Sequence, residues 1–186
     1  VTTTITETNL ESANYTLYNE NKELIDWQNF TYDASTVIFE GLNDGIYYYN
    51  ATVTDKVGLQ GSTETRNITL DTVEPEINYT DATLPDESYS NSNSVFVATQ
   101  TNKEDIEYIN YSLYDENLNL VSSQRFDELV NEFTFIDLAE GNYYYDVHFV
   151  DKVGQVAFTE ELRLITLDTT SPEVDYTIDT ELDDTY

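Results

Sequence analysis

Residues 42–58 read LNDGIYYYNATVTDKVG, and residues 138–154 read LAEGNYYYDVHFVDKVG. A glycine, a tyrosine triplet and a closing DKVG thus return about 96 residues later, a spacing typical of a whole domain rather than of a solenoid unit. Within each stretch the side chains alternate, so that one strand face carries aromatic and aliphatic groups while the other is mostly polar. The stretch therefore predicts one long strand in each of two similar domains.

The repetition extends in both directions along the chain. NYTLY at residues 14–18 returns as NYSLY at residues 110–114, and LDT at residues 70–72 returns at residues 167–169, each time shortly before a proline. No segment has a long apolar period of 3.6 residues. The complete copy is predicted to form seven strands, near residues 76–81, 95–101, 108–114, 119–126, 132–137, 143–150 and 157–168. The fold class predicted is all-β, with two tandem seven-stranded immunoglobulin-like β-sandwiches.

These motifs resemble the immunoglobulin-like, fibronectin type III-like tandem repeats of bacterial and archaeal surface proteins. Those repeats read roughly L-x-D-G-x-Y, then D-x-x-G, then D-T-x-x-P, which residues 42–47, 55–58 and 71–75 follow in the first copy. The resemblance covers essentially the whole chain, twice. It implies domains that serve as stalks, adhesin arms, surface-layer modules or enzyme spacers.

Composition excludes several classes of function. The chain of 186 residues has 7 basic and 37 acidic residues and a net charge of −30, which leaves too few cations for nucleic-acid binding and disfavours anionic membranes. No apolar run approaches the roughly 20 residues that span a bilayer. With no Cys and one His, thiol catalysis, disulfides and most zinc chemistry are excluded as well. We expect a non-enzymatic protein located outside an archaeal or bacterial cell.

The first copy of the repeat begins at a later point of the domain than the second copy does. Residue 1 aligns with residue 97, so the first copy lacks the strand that the second copy has at residues 76–81. At the other end, EVDYT at residues 173–177 repeats EINYT at residues 76–80. The sequence would then contain every strand of two domains, with one strand displaced to the far end. The predicted division is a first domain at 1–73, a second domain at 74–171 and a separate segment at 172–186.

Two explanations account for the displaced strand, and both stay open at this point. In one, the segment is a donor strand that completes the first domain of another copy, giving a head-to-tail filament. In the other, the chain is a slice of a longer tandem array. Both predict a structural component of a filament, stalk or surface layer; the alternatives are an adhesin arm that binds a cell surface or glycan, and spacer domains of a secreted enzyme. The predicted donor residues are Glu173, Val174, Asp175, Tyr176, Thr177 and Ile178.

Two kinds of ligand are considered for the side chains. Six N-x-[ST] sequons, about twice the number expected by chance, are candidates for N-linked glycans. Carboxylates near the predicted domain ends are candidates for calcium, which prefers oxygen ligands, although no strict calcium-loop spacing is present. The sequon residues are Asn14, Asn29, Asn50, Asn67, Asn78 and Asn110, and the carboxylates are Asp55, Asp71, Glu74, Glu76, Asp151, Asp168 and Glu173.

Structural roles are the alternative for several of these residues. Asp55 and Asp151 each open a DKVG turn, in which the Asp would cap the backbone and the Gly would take the last position. Tyr47 and Tyr143 follow a Gly at the start of a strand and are expected to act as tyrosine corners, with hydroxyls bonded to nearby backbone. His148 is expected on the exposed face of its strand.

Overall fold

The computed structural model describes residues 1–177, which form strands and no helix. The all-β prediction is confirmed. The chain divides into two compact units, Val1–Val73 and a second that begins at Glu74. They are called the first unit and the second unit below. Over residues 1–177 no helix is long and apolar enough to cross a membrane.

The first unit is built on a single antiparallel sheet. Its strand order is β2-β1-β3-β4, and β5 pairs with another part of β3. Facing this sheet there is only an isolated bridge between Thr2 and Thr36. The strands are β1 (Leu10–Tyr18), β2 (Leu24–Phe30), β3 (Gly45–Asp55), β4 (Gln60–Ser62) and β5 (Arg66–Leu70).

The second unit has two sheets that enclose a core. Its nine strands are β6 (Ile77–Tyr79), β7 (Ser88–Ser90), β8 (Val95–Thr101), β9 (Ile106–Asp115), β10 (Leu120–Phe126), β11 (Glu132–Phe135), β12 (Gly141–Asp151), β13 (Val156–Phe158) and β14 (Arg163–Leu167). The larger sheet has the order β10-β9-β12-β14-β7, with β13 also paired to β12, and the smaller sheet has the order β11-β8-β6. All pairings are antiparallel except that of β14 with β7.

Alternation along β12 produces the core of the second unit. Tyr145, Val147 and Phe149 are at most 1% exposed, whereas the side chains between them face the opposite side of the sheet. Together with the facing strands they belong to a buried cluster of thirteen described residues: Ile77, Val95, Val97, Ile106, Ile109, Tyr111, Leu113, Phe135, Tyr145, Val147, Phe149, Ile165 and Leu167. Burial of this many large apolar side chains is the main stabilising contribution to the unit.

The core of the first unit is smaller. Its buried cluster among the described residues consists of Ala13, Tyr15, Val37 and Ala51, with half-buried neighbours around it. Ala13 and Ala51 occupy the positions that Ile109 and Val147 hold in the second unit. A smaller buried apolar area predicts a smaller free energy of unfolding for the first unit.

Two details differ from the predicted strands. The strand expected at residues 157–168 is divided into β13 and β14, which pair with different parts of β12. Strand β7 was not expected, since its Ser-Tyr-Ser sequence has no apolar alternation. These two changes raise the count in the second unit from seven to nine.

The expectation that every strand of two domains is present also needs correction. Residues 1–5 and 36–39 of the first unit correspond to β8 and β11, yet they form one bridge instead of two strands. A strand in the middle of a sheet bonds on both edges, and here no described strand takes the place of β6 on one of them. The second layer of the first unit is therefore incomplete.

Candidate functional site

A groove of about 450 Å³ lies in the first unit between its N-terminal segment and the inner face of its sheet. Residues 3–7 form one wall. Ala51 and Val53 of β3 contribute the apolar floor, and the other wall comes from the region of β4. The full lining is Thr3, Thr4, Ile5, Thr6, Glu7, Ala51, Val53, Asp55, Leu59, Gln60, Gly61, Ser62 and Thr63.

In the second unit the corresponding space is occupied by β6. Ile77 of this strand is 3% exposed and belongs to the core cluster. The Tyr79 hydroxyl donates to the Tyr145 carbonyl at 3.1 Å and accepts from the Thr159 hydroxyl at 3.0 Å. The Arg163 guanidinium lies 4.1 Å from the centre of the Tyr79 ring, a favourable cation–π distance. Burial raises the pKa of Tyr79 well above its ordinary value, so the hydroxyl stays protonated.

Thr159, which donates to the Tyr79 hydroxyl, corresponds to Thr63 in the first unit. The Thr159 hydroxyl accepts from the Val147 N–H at 3.2 Å, while the Thr159 N–H donates to the Val147 carbonyl. In the first unit Thr63 makes the same two bonds with Ala51, at 3.0 and 2.9 Å. Thr63 is thus held in the same way, at the edge of the groove.

The N-terminal segment of the first unit also repeats the geometry of β8. Thr3 donates its N–H to the Ser35 carbonyl at 2.8 Å, and its hydroxyl bonds the Tyr15 hydroxyl. In β8, Thr99 makes both contacts, with Asn131 at 2.7 Å and with the Tyr111 hydroxyl at 3.2 Å. One edge of the segment is therefore bonded as in a complete sandwich, while the other edge faces the groove.

Both predicted tyrosine corners are confirmed. The Tyr47 hydroxyl donates to the Asn43 carbonyl at 2.9 Å, and the Tyr143 hydroxyl donates to the Ala139 carbonyl at 3.2 Å. In each unit the bond spans four residues and fixes the chain where it enters the longest strand. These tyrosines have a structural role.

The two DKVG turns also have the predicted geometry. Asp55 accepts from the N–H groups of Val57 and Leu59 at 2.9 and 2.8 Å, and Asp151 accepts from those of Val153 and Gln155 at 3.0 and 2.8 Å. The closing glycines have φ angles of 87° and 88°, a region that other residues adopt only with strain. The carboxylates therefore cap turns in both units.

The two turns differ in their ionic surroundings. The Lys103 ammonium lies 2.8 Å from the Asp151 carboxylate, and their side chains are 7% and 0% exposed. Burial alone would raise the pKa of Asp151, but the hydrogen bonds from Lys103 and Gln155 and the charge of Lys103 lower it below its ordinary value. In the first unit Glu7 takes the place of Lys103, and both Glu7 and Asp55 line the groove. This ion pair was not predicted from the sequence, because its partners are 48 residues apart.

Two of the other calcium candidates accept backbone hydrogen bonds, and three are exposed. Asp71 and Asp168 accept from the N–H groups two residues later, at 3.0 Å in both cases. Glu74, Glu76 and Glu173 are exposed. Calcium at these positions stays a prediction.

The acid before each strand-opening glycine binds the threonine of the DT motif. The Thr72 hydroxyl donates to Asp44 at 3.0 Å, and the Thr169 hydroxyl donates to Glu140. The hydrogen bonds from Thr169 and Thr170 lower the pKa of Glu140. Two motifs that the sequence shows about 28 residues apart are thus joined in space in each unit.

The sequons of the first unit share one surface. Strand pairing places Asn14 opposite both Asn29 and Thr52, and it places Asn67 opposite Tyr48, all on the outer face of the sheet with Asn50. Among the six sequon residues, Asn29, Asn67 and Asn78 are exposed, and Asn14, Asn50 and Asn110 are half-buried. Asn110 also donates its amide to Ser112 of its own sequon at 2.9 Å.

The predicted donor segment is exposed over its described part. Val174 is 97% exposed and Tyr176 is 85% exposed, although the equivalent residues of β6 pack against the core. Ile178 lies outside the described residues. The segment carries the same alternation as β6, so that its two apolar side chains would point to one side of a strand.

His148 is more enclosed than expected. Its ring lies between those of Tyr108 and Phe158, with centroid distances of 5.3 and 5.5 Å. Burial is the main cause that lowers its pKa, although the nearby Asp146 acts in the opposite direction. The aromatic neighbours come from two flanking strands, which the sequence alone does not align.

The fold is similar to those of solved fibronectin-like proteins. Fibronectin(III)-like modules of CbhA from Clostridium thermocellum match with 16% identity and a TM-score of 0.49, over 94% of this chain and 87% of theirs. The FN1–FN3 domains of chicken CNTN1 match with 12% identity and a TM-score of 0.46, over 86% and 56%.

Part of a 1.5-MDa bacterial ice-binding adhesin also matches, with 14% identity and a TM-score of 0.34, over 87% of this chain and 55% of that one. No protein-family model matches the chain, and no curated protein matches it significantly in sequence. The matched proteins are of the fibronectin type III-like class that the repeat motifs resemble, and the chain itself forms two all-β units.

Proposed function

We propose that this chain is a non-catalytic structural module of an extracellular filament, stalk or surface layer, in which immunoglobulin-like units follow one another head to tail. The observation that carries the proposal is the same β unit built twice in one chain, followed by a second copy of the strand that fills the core of the second unit. Serial sandwich units connected by short linkers transmit tension along the chain through their antiparallel ladders. The repetition therefore best supports a role as a load-bearing module of an elongated assembly.

The surface chemistry fits a location outside the cell. A net charge of −30 keeps neighbouring modules apart and soluble, and salt screens this repulsion beyond about 10 Å at ordinary ionic strength. We also propose N-linked glycans at the three exposed sequons, Asn29, Asn67 and Asn78. Mass spectrometry of the protein from its native cells tests this, because each occupied Asn adds a glycan mass that Asn→Gln removes. Unmodified peptides at all three positions would contradict it.

Pulling single molecules tests the load-bearing role. The chain is held between handles at its two ends and extended while the force is recorded. We expect one distinct step that releases about 30 nm, the contour length of a domain of about 100 residues. The variant Ile109→Asp, which places a charge in the second core, should lose this step and supplies the matched control. Smooth extension of the unaltered chain without any step would contradict the proposal.

A further inference from the structure

The groove of the first unit has the shape and the bonding groups of a strand-binding site. We infer that it binds residues 173–177 of a second copy of this chain as an added strand. The inference rests on the proposed function, because it names the partner through which modules would connect. It specifies the register, the side chains that enter the groove and the groups that receive them.

The occupant is indicated by the sequence of β6. Residues 172–177 read PEVDYT, and residues 75–80 of the second unit read PEINYT, so that four of these six positions are identical. Val174 and Tyr176 take the places of Ile77 and Tyr79, whose side chains point towards the core. Asp175 replaces Asn78, which is exposed in the second unit, so a charge at this position remains in solvent. The segment therefore has the pattern needed by a strand with one buried face.

The register follows from the pairing of β6 with β8. Ile77, Asn78 and Tyr79 lie opposite Thr101, Gln100 and Thr99. In the first unit these positions correspond to Ile5, Thr4 and Thr3, which all line the groove. The donor strand would run antiparallel to residues 2–5, with Val174 opposite Ile5 and Tyr176 opposite Thr3. Addition of a strand to an exposed sheet edge gives affinity through main-chain bonds and specificity through the alternate side chains.

The tyrosine finds the same three partners as in the second unit. Its hydroxyl would accept from Thr63 and donate to the carbonyl of Tyr49, the equivalents of Thr159 and Tyr145. Thr63 already uses its acceptor position for the Ala51 N–H, as Thr159 does for Val147. A tyrosine hydroxyl is an acceptor for the remaining hydroxyl proton.

Arg66 supplies the third contact. It lies opposite Tyr49 in the sheet, as Arg163 lies opposite Tyr145. Arg163 covers the Tyr79 ring at 4.1 Å, whereas the Arg66 side chain is 68% exposed and paired with Glu64 on the surface. A ring placed in the groove would therefore meet a guanidinium that now makes only a surface ion pair, which is a weak interaction.

Charge makes the binding depend on salt. The donor segment contains Glu173 and Asp175, and the groove is lined by Glu7 and Asp55. Glu173 corresponds to Glu76, whose carbonyl accepts from the Asn102 N–H, so it would lie opposite Thr6 and next to Glu7. Like charges at this end oppose docking at low ionic strength. Binding of residues 173–177 in the groove should therefore be stronger in about 1 M salt, where the screening length is about 3 Å.

Cysteine trapping tests the inference in the full chain, which has no Cys of its own. One preparation carries Ile5→Cys, the other carries Val174→Cys, and the two are mixed at high salt under mild oxidation. Residues directly opposite in an antiparallel pair are close enough for a disulfide. We expect a disulfide-linked heterodimer at a yield at least about tenfold above that of the pair Thr4→Cys and Val174→Cys, because Thr4, although it borders the groove, is exposed and lies on the opposite strand face from Ile5.

Two further measurements keep the result decisive. Tyr176→Ala in the Val174→Cys chain and Arg66→Ala in the Ile5→Cys chain should each lower the trapped yield several-fold, while circular dichroism checks that both units remain folded. A chain that carries both Cys substitutions should form ladders of covalent oligomers on a non-reducing gel.

Three outcomes would overturn the inference. They are an intramolecular disulfide in that double variant at all protein concentrations, equal yields for the matched and off-register pairs, and no trapping at all. None of these outcomes changes the unfolding step expected when a single molecule is pulled. A failure of residues 173–177 to bind in the groove is therefore distinguishable from a failure of the load-bearing role.

Discussion

The two units use the same sheet and the same turns, but they cover that sheet to different extents. In the second unit β11, β8 and β6 form a complete second layer, and in the first unit the same region contains one bridge. The tyrosine corner and the Asp-capped turn are nevertheless alike in both. Local motifs thus form whether or not the second layer is complete, because their hydrogen bonds join residues at most four apart in sequence.

The comparison also shows where the stability of each unit arises. The second unit has thirteen residues in its buried cluster and a buried ion pair, whereas the first has four such residues and an acid at the position of the lysine. Trp27, the only Trp of the chain, lies in the first unit. A change in Trp fluorescence therefore reports on the first unit alone, and it is expected to be small because Trp27 is 57% exposed in the folded unit; far-ultraviolet circular dichroism follows both units.

The largest expected effect comes from making the second core resemble the first. Ile109→Ala places in β9 the residue that Ala13 provides in β1. Since Ile109 is fully buried, we expect a loss of about 4 kcal/mol from the free energy of unfolding of the second unit. Denaturant titration followed by circular dichroism measures it, with an unchanged Trp transition as the control. A loss below about 1 kcal/mol would contradict the assignment of Ile109 to a rigid core.

The second prediction concerns the ion pair that only the second unit has. Lys103→Ala removes the ammonium from beside the buried Asp151 carboxylate, and we expect a loss of about 3 kcal/mol. The reciprocal change Glu7→Lys in the first unit should alter its stability by less than about 1 kcal/mol, because Asp55 is more exposed there. Equal effects of the two substitutions would show that burial does not distinguish the two turns.

A smaller effect is expected from pH. The lowered pKa of Asp151 means that its contribution is complete above the unfolded-state pKa of about 3.9 and is lost as pH falls through the lower folded-state pKa. The raised pKa of Asp146, caused mainly by burial, acts in the opposite direction. In Asp151→Asn the free energy of unfolding should therefore fall less steeply as the pH is lowered, which denaturation midpoints between pH 2 and 5 measure. An unchanged slope in this variant would refute the linkage.

The smallest effect should be the same in both units. Gly58 and Gly154 have almost identical positive φ angles, and an added Cβ would meet no atom within 4 Å at either position. Gly→Ala at each should therefore cost only the backbone strain, about 1 kcal/mol. Thermal denaturation of the two single variants compares the costs. A difference larger than about 1 kcal/mol between them would mean that the turns are not equivalent.

The sequence predicted the features that depend on short-range patterns. Alternation in β12 identified its buried face, and the spacing of Gly, Tyr and Asp identified the corner and the capped turn. It did not predict β7, which has no apolar alternation, or the division of the last strand at Thr159. It also missed the Lys103–Asp151 pair, which depends on a loop and the end of β12 that meet only in the folded unit.

The amino-acid sequence by itself determined the all-β class, the repeated unit and the existence of a second copy of the β6 strand sequence, because periodicity and identity are properties of the chain. Only the tertiary structure decided that residues 2–5 are bonded on one edge and border a groove on the other. It also placed Thr63 and Arg66 where Thr159 and Arg163 hold Tyr79. Such an arrangement depends on which distant strands are neighbours, and pairing across a sheet fixes that only after the chain has folded.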